Sequence, residues 1–189
     1  QLPAIAVTDY PLPKDQEWYY FDQGTSLDAE TWSDVAYDNL NWDRGFAPFG
    51  YGDPVNTEIS YGPDANNKYI TSYFTKDINV DVSNLTDLVE FGLRRDDGAV
   101  VYVNGIEVFR MNLPAGALAH LTQAPSAIGG IDENIYFIAE VPKTAFVSGV
   151  NRIAVEIHQQ SGTSSDLRFD MYIKNIDDLE VDCAAPHIG

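Results

Sequence analysis

The chain has 189 residues, which is enough for one domain with a full hydrophobic core. It carries 29 Asp and Glu against 11 Lys and Arg, and its formal net charge of −18 argues against nucleic acids and anionic membrane surfaces as partners. No apolar run approaches the roughly 18 residues of a membrane span, so we expect no membrane insertion. The negative charge leads us to expect no nucleic-acid binding either.

Both ends of the chain are predicted to flank a single domain at residues 16–176. Residues 1–15 contain three prolines and are expected to form an extended lead-in, and residues 177–189 are expected to form a linker or tail. Cys183 is the only cysteine, so no internal disulfide can form. The chain begins without a methionine and shows no signal peptide, which is typical of a processed or excised piece of a longer protein.

The first strand is predicted at residues 17–22, where aromatic residues are enriched. Residues 23–68 are polar and are predicted to form a long loop, with a short helical turn at 26–32 because Ser26 and Asp28 are good helix caps. We expect the aromatic residues of this loop to hold it in place. They are Trp32, Tyr37, Trp42, Phe46, Phe49, Tyr51 and Tyr61.

Further strands are predicted where apolar residues alternate with polar ones. In the strand at 151–159, for example, Ile153, Val155 and Ile157 point one way and Glu156 and His158 point the other. The remaining segments are 69–80, 85–94, 99–103, 106–112, 135–141 and 167–173. About eight short strands with turn signals between them predict an all-β sandwich or barrel.

Asn104-Gly105 lies between two apolar runs and predicts a two-residue type I′ hairpin turn. That turn places Val103 opposite Ile106, Tyr102 opposite Glu107, and Val101 opposite Val108. One face of the hairpin then carries the branched apolar residues Val101, Val103, Ile106 and Val108. The other face carries Tyr102, Glu107 and Arg110.

Several stretches together resemble the galactose-binding-domain-like jelly rolls that accompany secreted bacterial glycoside hydrolases and metallophosphoesterases. The stretches are residues 68–76, 95–105 and 149–159, the Trp32/Tyr37-Asp38/Trp42 loop, Gly50-Tyr51-Gly52, residues 61–68, and Ser165 to Asp170. This resemblance covers roughly residues 16–176. It implies a jelly-roll β-sandwich that serves as an accessory module of a secreted or cell-surface protein, beside neighbouring domains of a larger parent chain.

Asp96-Asp97-Gly98 is also similar to the aspartate pair of the PA14 lectin domain. In that family, adjacent aspartates bind calcium and the calcium binds sugar. The rest of the chain fits PA14 less well.

Catalytic motifs are not evident in the sequence. The three histidines, His120, His158 and His187, have no ligand spacing to one another, and neither a nucleophile elbow nor a phosphate-binding loop occurs. We therefore predict that the chain is not an enzyme.

Calcium is the predicted cofactor, because hard cations bind clusters of carboxylate and loop oxygens. The alternative for each aspartate is a role as a cap, a turn residue or an ion-pair partner of Arg94 or Arg95. The resemblance adds a calcium site between the loop after the first strand and the last strand, which would involve Asp28, Thr31 and Asp170. The full set of candidates is Asp22, Asp28, Thr31, Asp96, Asp97 and Asp170, with Asp166 beside the last of these.

A sugar site needs an aromatic surface for the C–H side of the ring and convergent polar groups for its hydroxyls. The candidates are Trp42, Tyr51, Tyr61, Arg95, Glu156, His158 and Gln159. Alternatively, the aromatic residues anchor loops or the core, and Glu156 and His158 satisfy cross-strand partners.

The resulting hypothesis is a non-catalytic, lectin-like module that binds a polysaccharide or glycan and holds a structural calcium ion. Two alternatives remain: a spacer or domain-interaction module without a sugar ligand, and a calcium-dependent adhesion domain. A sugar module should expose two or more of Trp42, Tyr51 and Tyr61 in one groove. A spacer should bury all three and present an apolar patch.

Overall fold

The computed structural model describes residues 10–176, which contain eleven strands and three short 3₁₀ helices. The 3₁₀ helices are Val82–Asn84, Gly130–Asn134 and Lys143–Ala145. The strands are β1 (Glu17–Phe21), β2 (Asp43–Phe46), β3 (Phe49–Tyr51), β4 (Thr57–Glu58), β5 (Thr71–Val80), β6 (Leu88–Asp96), β7 (Gly98–Val103), β8 (Ile106–Met111), β9 (Phe137–Pro142), β10 (Gly149–His158) and β11 (Leu167–Asn175).

The strands form two sheets that pack face to face, which confirms the all-β sandwich. One sheet has six strands in the order β2-β1-β5-β10-β7-β8, and the other has five in the order β4-β3-β11-β6-β9. All neighbouring pairs are antiparallel except β3 and β4, which are parallel. No helix in the described part of the chain is long and apolar enough to cross a membrane.

The core lies between the sheets and follows the two-residue period of the strands. Val101, Val155 and Phe74 come from the six-stranded sheet and are fully buried, as are Phe91 and Phe169 from the five-stranded sheet. The rings of Phe74 and Phe169 meet across the sandwich with centroids 4.3 Å apart. The eight strands that the sequence predicts are all present, with ends that differ by at most three residues.

The hairpin turn is confirmed, since Asn104 and Gly105 have φ of 51° and 80°. Val103 pairs with Ile106 and Tyr102 with Glu107, as predicted, but a bulge then shifts the register. Val101 therefore lies opposite Phe109, and its predicted pairing with Val108 is wrong. Ile106 is 71% exposed rather than part of the core, because it lies in the first pair after the turn, at the end of the sandwich.

The segment predicted as one loop, residues 23–68, contains the short strands β2, β3 and β4. They are too short for an alternating pattern. At Gly50 in β3, a Cβ atom would lie 1.8 Å from the carbonyl oxygen of Leu167, so only glycine lets β3 pair with β11. Residues 26–32 form separate turns instead of a helical one, through bonds such as Glu30 N–H to the carbonyl of Leu27 at 2.9 Å.

The ends of the predicted domain are described in part. Leu12, in the predicted lead-in, is buried and forms a β-bridge with Ile173, so this segment packs onto the sandwich. Residues 1–9 and 177–189, including Cys183 and His187, lie outside the described residues.

Candidate functional site

The outer face of the six-stranded sheet is covered by the chain segment after β1, which packs there as a second hydrophobic cluster. Trp32 is its centre, with ring centroids 6.2 Å from Trp42, 5.0 Å from Tyr73 and 5.8 Å from Tyr102. Leu27 and Ala154 complete its buried part. The aromatic residues therefore hold this segment in place, as expected from the sequence.

Arg152 on β10 connects the same segment to the sheet by hydrogen bonds. It projects from β10 and is almost fully buried, with its Nε 2.8 Å from Asp77 on β5. Its Nη1 donates to the backbone carbonyls of Asp34 at 3.1 Å and Tyr37 at 2.7 Å. Asn39 adds a side-chain bond of 2.6 Å to Thr75. The guanidinium of Arg152 thus supplies the hydrogen-bond donors for two loop carbonyls that face the sheet.

A row of polar side chains continues along the outer face from Arg152. Tyr102 donates to Glu156 at 3.1 Å, and the other carboxylate oxygen of Glu156 lies 2.9 Å from His158 Nε2. His158 Nδ1 lies 2.8 Å from the carbonyl of Thr122, which only accepts, so Nδ1 carries a proton. Both ring nitrogens of His158 therefore face oxygen atoms of neighbouring groups. Burial, with Glu156 next in importance, raises the pKa of Tyr102 above its usual range, so its hydroxyl stays a donor.

A cavity of about 380 Å³ opens beside this row, and we call it the outer-face cavity. Tyr102 and Glu156 reach it from β7 and β10, while Glu107 and Arg110 reach it from β8. Arg110 forms a two-point contact with Glu107, at 2.6 Å from Nε and 2.5 Å from Nη2, and also donates to the carbonyls of Pro114 and Gly116. The complete lining is Leu27, Asp28, Glu30, Trp32, Ser33, Tyr102, Glu107, Arg110, Gly116, Ala117, Leu118 and Glu156.

The sugar-site candidates from the sequence do not gather in one place. Trp42 is buried in the second cluster, while Tyr51 is buried at the other sheet, where its ring meets half-buried Tyr61 at 5.2 Å. Trp42 and Tyr51 therefore do not form an exposed aromatic groove with Tyr61. Of the seven candidates, only Glu156 lines the outer-face cavity.

The other polar sugar candidates are buried and engaged elsewhere. His158 lies behind Glu156, and Gln159 donates to Tyr51 at 2.8 Å and to the carbonyl of Asp166 at 2.7 Å. Arg95 is buried near Phe137 and donates to the carbonyl of Asp97.

The other eleven lining residues were not among the sugar candidates, and they include Trp32, Tyr102, Glu107 and Arg110. The hairpin pattern already placed the last three on one face, and the structure confirms that arrangement. The missing information was that the loop after β1 would fold over this face and close a cavity.

The calcium candidates from the sequence are dispersed. Asp22 accepts from Ser60 N–H at 2.5 Å, Asp28 accepts from His120 N–H at 2.9 Å, and Thr31 lies in an exposed turn. Asp170 accepts from Tyr136, Met171 and Asp15. These bonds match the alternative interpretation, in which the aspartates hold turns and backbone segments.

Asp96 ends β6 and Asp97 follows it; both are buried, and the peptide bond between them is cis. Asp97 accepts from the backbone of Ile128 at 2.6 Å and of Gln160 at 2.7 Å. Burial above all, then the neighbouring Asp97, raises the pKa of Asp96 to about 9. Asp166 and Glu133 add to this rise, so Asp96 lies within the field of further carboxylates.

A cluster of three carboxylates, Asp53, Glu133 and Asp166, was not predicted as a group. One oxygen from each lies within 4.8 Å of the others, so this acidic cluster could hold a metal ion. Arg168 borders it, with Nη2 3.7 Å from Asp53, and donates to Asn134 at 2.6 Å. Of these three residues, only Asp166 is suggested by the sequence as a calcium ligand, next to Asp170. Asp53 follows β3 and Glu133 lies in the 3₁₀ helix Gly130–Asn134, two segments far apart in the chain that the fold brings together.

No protein-family model and no curated protein matches the chain. Among solved structures, a β-glucuronidase from Ruminococcus gnavus in complex with C6-substituted uronic isofagomine is similar, with a TM-score of 0.55 and 10% identity over 92% of this chain. A β-glycosidase from Bacteroides vulgatus is similar with a TM-score of 0.52 and 14% identity over 85% of this chain. The chain spans only 30% and 20% of these two proteins, and the similarity establishes the fold alone.

Proposed function

We propose that this chain is a non-catalytic carbohydrate-binding module of a larger secreted or cell-surface bacterial protein, with a structural calcium ion. The observation that carries the proposal is the outer-face cavity, where Trp32 and Tyr102 stand beside Glu156, Glu107 and Arg110. Sugar hydroxyls both donate and accept, and this wall offers carboxylate acceptors and guanidinium donors next to aromatic surface.

The proposed ligand is a neutral glycan. Four carboxylates line the cavity, from Asp28, Glu30, Glu107 and Glu156. Arg110 is the only cationic residue of the lining, and it is already paired with Glu107. A uronic or sulfated sugar would meet this negative field without a free cation to balance it.

Binding is expected to be weak and to act by localisation. Trp32 is only 5% exposed, so it offers an edge rather than an open platform. A weak site still raises the effective concentration of a tethered catalytic domain at its polymer. The similar solved structures support this role, because they are a β-glucuronidase and a β-glycosidase and this chain corresponds to a minor part of each.

The bonding of the cavity carboxylates supports a non-catalytic role. Glu156 is held by Tyr102 and His158, and Glu107 by Arg110. A glycosidase needs two carboxyl groups free to act as acid and as base or nucleophile. Neither of these two glutamates is free for that work, and both oxygens of Asp28 accept from His120 N–H. Glu30 is the remaining carboxylate of the cavity lining, and one carboxyl group does not make such a pair.

The test is affinity electrophoresis of the purified chain against neutral and uronic polysaccharides, followed by calorimetry with the best ligand. Glu156→Gln should weaken binding about tenfold, because it removes a hydrogen bond to a charged group. Glu90→Gln is the matched control, since Glu90 accepts from Tyr172 at 2.7 Å on the other sheet, as Glu156 does from Tyr102. Equal binding by the two variants, or no retardation by any polysaccharide, would contradict the proposal.

One observation favours the alternative of a domain-interaction module. An apolar cavity of about 310 Å³ lies at the turn end of the hairpin, lined by Val103, Ile106, Val108, Val141, Pro142, Thr144 and Ala145. Exposed apolar surface of this kind is typical of contacts with a neighbouring domain. Ile106→Lys should leave carbohydrate binding unchanged, whereas loss of binding in that variant would move the ligand site to this end.

A further inference from the structure

We infer that the acidic cluster of Asp53, Glu133 and Asp166, together with the buried carboxylate of Asp96, binds one divalent cation with the chemistry of calcium. This inference rests on the proposed function in that it names the site of the calcium ion. Its evidence is independent of the outer-face cavity and of carbohydrate.

The geometry of the three carboxylates suits one shared ion. Calcium takes oxygen ligands at about 2.3–2.6 Å, so two ligands of one ion lie at most about 5 Å apart. The three candidate oxygens lie within 4.8 Å of one another. They come from three separate segments: the loop after β3, the 3₁₀ helix Gly130–Asn134, and the residue before β11. An ion there would join three parts of the chain.

The sheet register places Asp96 next to the acidic cluster, although its oxygens are not among the three that lie within 4.8 Å of one another. Asp96 on β6 is the direct cross-strand partner of Arg168 on β11, so both side chains point to the same face of the sheet. Arg168 borders the cluster through Asp53 and through Asn134, which follows Glu133. Asp166 precedes Arg168 by two residues. Asp96 therefore lies beside the cluster on the sheet that carries it.

Asp96 supplies the second, independent observation. It is only 2% exposed, and its Oδ1 has no hydrogen-bond partner within residues 10–176. A buried carboxylate oxygen without a partner is costly in a folded protein. A bound cation would satisfy this oxygen. Its neighbour Asp97 is not needed as a ligand, because both of its oxygens already accept from backbone amides.

Arg168 alone does not balance these charges. Its two shortest bonds go to the neutral acceptors Asn134 at 2.6 Å and Pro54 at 2.8 Å, and its contact with Asp53 is longer. Within the described residues, neither Glu133 nor Asp166 has a cationic side chain within ion-pair distance. Their other contacts are single hydrogen bonds, from Gly130 N–H to Glu133 and from the Ser165 hydroxyl to Asp166. Both carboxylates keep free lone pairs for a metal.

The test is calorimetric titration of the EDTA-treated chain with CaCl₂ alone, together with thermal melts in EDTA and in calcium. We expect one site, with a Kd on the order of 1 mM or tighter, and a higher melting temperature in calcium. Glu133→Gln and Asp166→Asn should each weaken the affinity at least about tenfold. Asp132→Asn is the matched control, because it removes the same charge from an exposed neighbour on the same 3₁₀ helix.

The Asp96→Asn variant distinguishes a role of Asp96 as a calcium ligand from a purely structural role. The amide should raise the melting temperature in EDTA, because it removes a buried carboxylate, and should also shrink the stabilisation by calcium. The absence of calcium binding by the wild-type chain would overturn the inference, and so would wild-type affinity in both cluster variants. Neither measurement involves a glycan, so the outcome is separable from that of the proposed function.

Discussion

Two buried ionisable side chains, Arg152 and Asp96, lie beneath loop segments outside the main hydrophobic core. Arg152 satisfies the loop carbonyls of Asp34 and Tyr37 beneath the second cluster. Asp96 sits beneath the acidic cluster with one oxygen unpaired. Both side chains are buried, so the energetic effect of each depends on how completely its polar atoms are satisfied.

Arg152→Met should destabilise the chain by about 2–3 kcal/mol, because it leaves buried carbonyls without a donor while keeping the aliphatic stem. Urea unfolding measures this difference. Arg44→Met is the control, because Arg44 is exposed and 4.0 Å from Glu17, and should cost less than about 0.5 kcal/mol. A similar loss in both variants would contradict the anchoring role of Arg152.

Asp96 should also make stability depend on pH in the absence of metal. The folded state raises its pKa to about 9, so between about pH 4 and pH 9 the native chain keeps a proton that the unfolded chain has lost. The free energy of unfolding should therefore fall as pH rises through this window.

Urea unfolding in EDTA at a series of pH values, for the wild type and Asp96→Asn, measures this dependence. Burial also raises the pKa of Asp170, which contributes in the same direction in both proteins. The difference between the two curves isolates Asp96. Parallel curves would show that Asp96 ionises freely in the folded chain.

At the scale of elements, the hairpin β7–β8 links the fold to the candidate site. Its turn fixes Tyr102 opposite Glu107, and the bulge after that pair brings Arg110, three residues beyond Glu107, onto the same face. Asn104 in the turn also donates to Asn151 at 2.9 Å and accepts from Arg152 N–H at 2.9 Å, which joins the hairpin to β10. These hydrogen bonds connect the strands that carry Tyr102, Glu107 and Glu156 into the cavity wall.

Gly105→Ala should destabilise the chain by roughly 1–2 kcal/mol, since a residue with a Cβ is strained at the positive φ of this position. Gly129→Ala is the control, because Gly129 has an extended φ of −158° and only a distant neighbour, Glu133, at 3.7 Å. Thermal melts in EDTA compare the two. An equal effect would mean that the turn does not require its left-handed conformation.

The sequence was most informative for elements that carry their own pattern. Aromatic enrichment identified the first strand, alternating residues identified seven more, and Asn104-Gly105 identified the turn, because these signals are local. The bulge between Val101 and Tyr102 and the short strands β2 to β4 have no such signal. They arise from packing against distant segments, as the contact of Gly50 with Leu167 illustrates.

At the scale of the whole molecule, the two candidate sites lie on different sheets, the outer-face cavity on the six-stranded one and the acidic cluster on the five-stranded one. Glu156 and Asp96 could be chosen from the sequence, because the strand pattern and the paired aspartates mark them. Trp32, Asp53 and Glu133 could not be assigned to these sites, since their partners are set by loops that fold across the sandwich.

The central claim is that a neutral glycan binds in the outer-face cavity. Its most direct test is a ¹H–¹⁵N NMR titration of the chain with cellohexaose, xylohexaose and mannohexaose in turn. The indole N–H signals of Trp32, Trp42 and Trp18 act as reporters, and Trp18 is an internal control because it lies buried in the core between the sheets. We predict a saturable shift of the Trp32 indole and of the amides of Tyr102 and Gly116, with the Trp18 signal unmoved. No shift with any of the three sugars, or shifts confined to the apolar cavity around Ile106 and Val141, would contradict the account.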